Sequence, residues 1–301
     1  MSDASKAVMQ SRTERVRSSL VKAFEKWAEP YDIRPDGVFG SVATIRSGDV
    51  TISSETLDVE FTVPFDDDLE PNEAEIIVYN LSDNTIKQLK RGAKITIEAG
   101  YKGDTGILFS GFISKVKTVY EEADKVTTIN AMDDIKDHTI ESMSFAAGTK
   151  ASYILKALID KTGIPVAVFS PRRDHTYEDA QTVDGDLMEN ISQYAEVCGI
   201  SVYVSKGKIY ARYIKVGDNL NFNVSVETGM IGSPSPYSEE ITAEDYKDTI
   251  DGYKVEMLLQ HRLCAGALVR LTSRNAKGTY RVCSGKHRFS PDEAVTEAKM
   301  Y

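Results

Sequence analysis

The sequence predicts a β-rich α+β protein: two related β-barrel domains, a small α+β domain inserted between them, and a helix at the start. Three observations predict this. Period-two hydrophobicity dominates the first and last parts of the chain, two amphipathic helices occupy the middle, and a short glycine-centred pattern from the first strand region returns in the last. The expected boundaries are 1–35 for the helical arm, 36–140 for the first barrel, 141–225 for the insert and 226–301 for the second barrel.

The arm is expected as one helix because Val16, Leu20, Phe24 and Trp27 recur at helical spacing and Pro30 ends the run. It can dock on its own domain or pack on a neighbouring subunit. A membrane-surface helix is disfavoured by its short apolar stripe and mixed-charge polar face.

From 38 to 132 the pattern is strands. Leu57-Asp58-Val59-Glu60-Phe61-Thr62-Val63, Lys94-Ile95-Thr96-Ile97-Glu98-Ala99 and Lys125-Val126-Thr127-Thr128-Ile129-Asn130-Ala131 all alternate, as sheets with one buried face require. Turn chemistry at 64–71, Lys102-Gly103-Asp104 and 120–124 separates them.

In the middle, Ile154, Leu155, Leu158 and Ile159 form one helical face, with Gly163 as terminator. Leu187, Ile191, Tyr194 and Cys198 form another, ended by Gly199. A hairpin follows, turning at Lys206-Gly207. The last part returns to strands at 255–259, 267–272 and 279–283. Ser233-Pro234-Ser235-Pro236 and the acidic stretch 239–251 are expected as the linker before them.

The recurring pattern is the most informative feature. Leu89-Lys90-Arg91-Gly92-Ala93-Lys94-Ile95-Thr96-Ile97 lies over Leu263-Cys264-Ala265-Gly266-Ala267-Leu268-Val269-Arg270-Leu271, and a Ser-Gly pair follows each, Ser110-Gly111 and Ser284-Gly285. One chain would then hold two copies of a related barrel. Three such chains in a ring present six quasi-equivalent units, which resolves the mismatch between a three-fold and a six-fold partner.

Composition narrows the function. With 46 acidic against 36 basic residues the net charge is −10, opposite to the excess that grips nucleic acid. Cys198, Cys264 and Cys283 are odd in number and lack CxxC spacing, so neither a disulfide framework nor a zinc site is indicated; buried thiols of a reducing compartment are expected. No apolar run is long enough to span a membrane, and residues 1–17 lack the apolar centre of a signal peptide.

Two ordered sets of residues carry a family resemblance. The first is Ala74-Glu75-Ile76-Ile77-Val78-Tyr79-Asn80-Leu81-Ser82, then Leu89, Gly92, Ala99-Gly100-Tyr101 and Phe109-Ser110-Gly111. The second is Thr228-Gly229-Met230-Ile231-Gly232-Ser233-Pro234, then 253–259, Gly266, Val269-Arg270-Leu271-Thr272-Ser273, Gly278-Thr279-Tyr280-Arg281-Val282 and His287. In order and spacing these resemble the baseplate hub family of phage tails, the late control protein D-like hubs of tailed phages and tail-like bacteriocins. The resemblance covers about 38–289. It implies two tube-type barrels and a homotrimer beneath the last tail-tube ring, joining the six-fold tube to a three-fold spike. It also implies contacts with tail tube protein, spike or tip protein, tape-measure protein and other baseplate components, and a place in the virion after assembly in the bacterial cytoplasm. No membrane is implied, and DNA would at most pass through the channel, which an acidic lining would keep from sticking.

Motifs for chemistry are sparse. There is no Gly-rich phosphate loop, HExxH or GxSxG, so no catalytic, cofactor-binding or metal-binding residue is assigned and no enzymatic activity is expected. His138, His175, His261 and His287 are scattered. Cys264 or Cys283 with His287 is the one nucleophile–base combination available, and a tail-associated peptidoglycan hydrolase is the alternative it would serve. A receptor- or glycan-binding tail module, using some of the 15 tyrosines, is the other. Asp66-Asp67-Asp68 and Asp133-Asp134 with Asp137-His138 are expected as solvated acidic loops. Arg172-Arg173 reads as an exposed loop or as the mate of an acidic partner.

Overall fold

The computed structural model describes residues 40–133, 139–243 and 246–301. The helical arm expected at 1–35 lies outside the described residues, as does His138.

Alternation along the first strand region becomes a one-sided antiparallel sheet. Its elements are β1 (Ser41–Ser47), β2 (Val50–Ser53), β3 (Val59–Phe65), β4 (Glu73–Tyr79), α1 (Asp83–Gln88), β5 (Lys94–Tyr101), β6 (Asp104–Glu121) and β7 (Asp124–Met132). They lie in the order β3-β4-β7-β6-β5-β1-β2. Val59, Phe61, Val63, Ala74, Ile76, Val78, Ile95 and Ile97 enter one core, while the intervening residues face outward.

The middle unit holds β8 (Thr139–Phe145), α2 (Ala151–Lys161), β9 (Val166–Ser170), β10 (Gln181–Asp186), α3 (Leu187–Cys198), β11 (Ser201–Ser205) and β12 (Lys208–Arg212). Both predicted helical faces are buried: Ile154, Leu155, Leu158 and Ile159 pack with Leu187, Ile191, Tyr194 and Cys198. Local chemistry sets the ends of α3. The Asp186 carboxylate accepts from the N–H groups of Met188 and Glu189, and Gly199 turns left-handed at φ 67°.

The last region comprises β13 (Asp218–Val224), a 3-10 turn (Val226–Thr228), β14 (Met230–Ala243), β15 (Tyr246–Leu258), β16 (Ala267–Thr272), β17 (Lys277–Phe289) and β18 (Ala294–Met300). Its antiparallel order is β14-β15-β18-β17-β16, with β13 parallel to β16. This is the order β3-β4-β7-β6-β5 of the first region, strand for strand.

Details of the two modules coincide. The N–H of Gly92 donates to the carbonyl of Ile113 at 2.7 Å, and that of Gly266 to Val282 at 2.9 Å. Leu89 donates to Ile86 and Leu263 to Gln260, each at 3.1 Å. The ladder of β6 on β7 shifts register between Ile113 and Lys115, and that of β17 on β18 between Val282 and Ser284. These bulges align β6 with β17, so Ser284 answers to Lys115. The two Ser-Gly pairs therefore do not correspond: Ser110 and Gly111 face β5, whereas Gly285 faces β3 and β18. The β16–β17 hairpin is shorter than β5–β6, which moves the second pair along its strand.

A second correction concerns Ser233-Pro234-Ser235-Pro236. It lies within β14, not in a linker, and the described backbone of the acidic stretch, 239–243 and 246–251, belongs to β14 and β15. β13, inside the segment assigned to the insert, is hydrogen-bonded to the second module.

Candidate functional site

The site that the fold builds is the junction of its parts, and β17 is its axis. The first half of β17 pairs with β16 over 277–281. Its second half pairs with β3, matching Gly285 to Phe65, His287 to Val63 and Phe289 to Phe61. The two modules thereby become one continuous sheet. Phe61 and Phe289 stack across this seam with centroids 5.1 Å apart and planes 12° from parallel.

A second contact lies at the β5–β6 turn. Asp104 accepts from Arg262 at 2.7 Å and lies 3.1 Å from His261 Nε2. Burial works to raise the Asp104 pKa, but Arg262 and His261 outweigh it and hold the carboxyl below its ordinary range. A Cβ on Gly106 would lie 2.2 Å from His261 Nδ1, so the close approach requires glycine there. The Tyr101 hydroxyl donates to the carbonyl of Ala294 at 3.1 Å.

Two buried arginines tie the middle unit and the first module to the second. Arg212 of β12 forks onto Asp218 at 2.9 and 3.0 Å, and donates to the Tyr203 hydroxyl at 2.6 Å and to the carbonyl of Gly266. Arg281 of β17 pairs with Asp67, donates to the carbonyl of Val216 at 3.1 Å and contacts the Tyr301 hydroxyl. Burial drives the Asp67 carboxyl upward and Arg281 only partly offsets this; the Arg281 guanidinium stays charged.

The acidic loop is thus only partly solvated: Asp68 is exposed, whereas Asp66 and Asp67 are half-buried. Arg281 draws Asp67 inward. Asn72 Nδ2 bridges Asp66 Oδ1 at 3.2 Å and Asp133 Oδ2 at 3.3 Å. Burial raises Asp133 to about 7, and burial with the nearby charge of Asp68 raises Asp66 to about 6. Asp134 and Asp137 lie outside the described residues.

Of the thiol and imidazole candidates, His287 and Cys283 sit in the core of the sheet. His287 is buried, contacts Thr296 Oγ1 through Nδ1 at 2.8 Å and packs against Phe65. Burial, with Lys206 and His261 nearby, lowers its pKa to about 3, which leaves it a weak base. Cys283 is buried with its sulfur 3.3 Å from the carbonyl of Lys299, and Cys264 is half-buried. Burial pushes the Cys198 thiol up to about 11. Arg172 and Arg173 close the C-terminus of α3: Arg173 donates to the carbonyls of Val197 and Glu196, and Arg172 lies over the Tyr213 ring at 4.2 Å. Among the described residues no cluster of three or more His, Cys, Asp or Glu has metal-binding geometry, and no helix is long and apolar enough to cross a membrane.

The fold therefore joins two antiparallel modules along one strand, with arginine–carboxylate pairs at the joints. The comparisons with known proteins make this specific. The model of a family described as "Baseplate hub gp41" matches residues 71–275, about two thirds of the chain, and the chain belongs to that family of phage tail baseplate hubs. It is a structural protein of the virion tail baseplate.

No curated protein matches its sequence. Among solved structures, a tail protein from Neisseria meningitidis MC58 is similar with a TM-score of 0.60 at 10% identity, over 87% of this chain and 96% of that one. The 43 kDa tail protein of prophage MuSo2 from Shewanella oneidensis is similar with a TM-score of 0.56 at 10% identity, over 86% and 97%. An E. coli component of the type VI secretion system, described as structurally similar to the T4 tail proteins gp27 and gp5, is similar with a TM-score of 0.58 at 9% identity, over 85% and 76%. These likenesses concern the fold.

Proposed function

We propose that three copies of this chain close into a ring around a central channel, joining a six-fold tail tube above to a three-fold spike or tip below, with no enzymatic step of their own. The observation that carries this reading is the repetition of one five-strand order, β3-β4-β7-β6-β5 and β14-β15-β18-β17-β16, within a single chain. Three copies then offer six related modules at near-equal angles, and a six-fold face can seat on them without losing contacts at alternate positions. The domains in this reading are the two modules and the α+β unit between them, which projects toward other baseplate parts. The partners are tail tube protein, spike or tip protein and tape-measure protein.

Native mass measurement tests it. At micromolar concentration, or after addition of tube or spike protein, the mass should be three times that of the chain. A chain that remains a monomer in every mixture overturns the ring.

A further inference from the structure

Comparison of the two modules leaves one place in each copy where a strand should add and, among the described residues, none does. The second half of β17 has β18 on one side and β3 on the other. The second half of β6, its quasi-equivalent, pairs with β7 on one side, while β5 reaches only to Phe112 on the other. Among the described strands none covers the remaining edge at 115–121. The strand equivalent to β3 is β14, and β14 pairs only with β15. Among the described strands each copy therefore carries one open socket and one open strand. They are seven steps apart in the sheet order.

We propose that β14 of a second copy adds to the open edge of β6, in the register that β3 holds on β17; this rests on the ring reading above. The bulge-aligned equivalence gives the pairing. Gly285 opposite Phe65 becomes Val116 opposite Ser238, His287 opposite Val63 becomes Thr118 opposite Pro236, and Arg288 opposite Thr62 becomes Val119 opposite Ser235. A side chain marks the same edge. Phe289 is 4% exposed where it stacks on Phe61, whereas its counterpart Tyr120 is 76% exposed. A bare aromatic stands where the internal seam buries one.

The occupant is a second copy because the internal seam is itself a sample of the contact: β3 on β17 is one junction of a ring whose other junctions repeat it. The two kinds of junction differ in one respect. Leu258 donates to the carbonyl of Gly229 at 2.9 Å, which fixes the residues of β15 that face β14. By alternation Lys254 and its partner Ser235 face each other, so Pro236, opposite Tyr253, turns its backbone to the open edge. Proline has no N–H, so it leaves the ladder with β15 intact and removes a donor from the edge. Val63 has that donor in the internal seam. The ring thus alternates full seams within copies with thinner seams between them, and it opens at the latter.

The test uses the full chain carrying Val119→Cys with Ser235→Cys, a laterally adjacent pair, oxidised with oxidised glutathione and run on a non-reducing gel beside each single variant. Bands at two and three chain masses from the double variant only are expected. A native trimer whose double variant gives no such bands, or only a bond within one chain, overturns the seam while leaving the ring reading standing. A monomer in every mixture overturns both. Independently, Pro236→Val restores the edge donor and should lower the concentration at half-assembly about fivefold. An unchanged or higher concentration overturns the assigned edge.

Discussion

Gly92 and Gly266 adopt the same backbone angle, φ 78° in each, at the same step of two modules near opposite ends of the chain. Their surroundings differ. A Cβ on Gly92 would meet nothing within 4 Å, while one on Gly266 would lie 2.1 Å from the Tyr203 hydroxyl and 2.3 Å from the Arg212 guanidinium. Gly92→Ala should therefore cost only the left-handed backbone penalty, about 1–2 kcal/mol. Gly266→Ala adds the displacement of a buried hydrogen-bonded pair and should cost about 3 kcal/mol or more. Denaturant unfolding of the two variants checks the ranking, and equal losses would contradict it.

Asp67 and Arg281 form an ion pair with side chains 16% and 2% exposed, linking the β3–β4 loop to β17. Removing one partner leaves a buried charge alone. Asp67→Ala should destabilise by about 3–5 kcal/mol, and Arg281→Met should also destabilise. The double replacement Asp67→Leu with Arg281→Met should fall well short of the sum, because no charge remains to be desolvated. A double-mutant cycle by urea unfolding reads this coupling.

Asp66 and Asp133 give the protein a pH dependence. Their folded pKa values, about 6 and about 7, lie above the unfolded value near 3.8. The folded state consequently holds more protons than the unfolded chain between about pH 4 and 7. For these two groups stability is greatest toward the acid end of that window and falls as pH rises through 6 and 7. The change at Asp133 is on the order of 2 kcal/mol. Asp133→Asn, which keeps a polar group beside Asn72, should flatten the slope. Melting temperatures from pH 5 to 8 for both chains test this, and identical slopes would refute the assignment.

What could be read from the sequence was local. The alternation in β3, β5 and β7, the faces of α2 and α3 and the stop at Gly199 are set by neighbours within one turn or one strand. Non-local pairing left no such mark. Nothing near Phe61 announces Phe289, and nothing in Asp66-Asp67-Asp68 announces Arg281, so an inward-drawn loop looked like a solvated one. Pro234 and Pro236 misled for a physical reason. Proline reads as a break, yet on an edge strand its missing N–H faces outward and the ladder survives. The glycine-centred repeat was legible because a left-handed step needs glycine at both places. Its Ser-Gly extension was not a true correspondence, because hairpin length shifted the register.

The stacked pair Phe61–Phe289 reports directly on the cohesion of the two modules. Both rings are buried, and they meet at the far end of the β3–β17 seam from the Arg281–Asp67 pair. Each single change to alanine should cost about 3–5 kcal/mol through lost burial and the cavity left behind. The rings should also be coupled by about 1 kcal/mol, the usual worth of an aromatic pair beyond area. If the modules unfold as one unit, every probe should report a single shifted transition. If the seam were weak, Phe289→Ala would instead separate an early transition of one module from a later one. Following near-ultraviolet aromatic signals and far-ultraviolet ellipticity along the same urea titration distinguishes the two outcomes, since coincident curves require a cooperative seam.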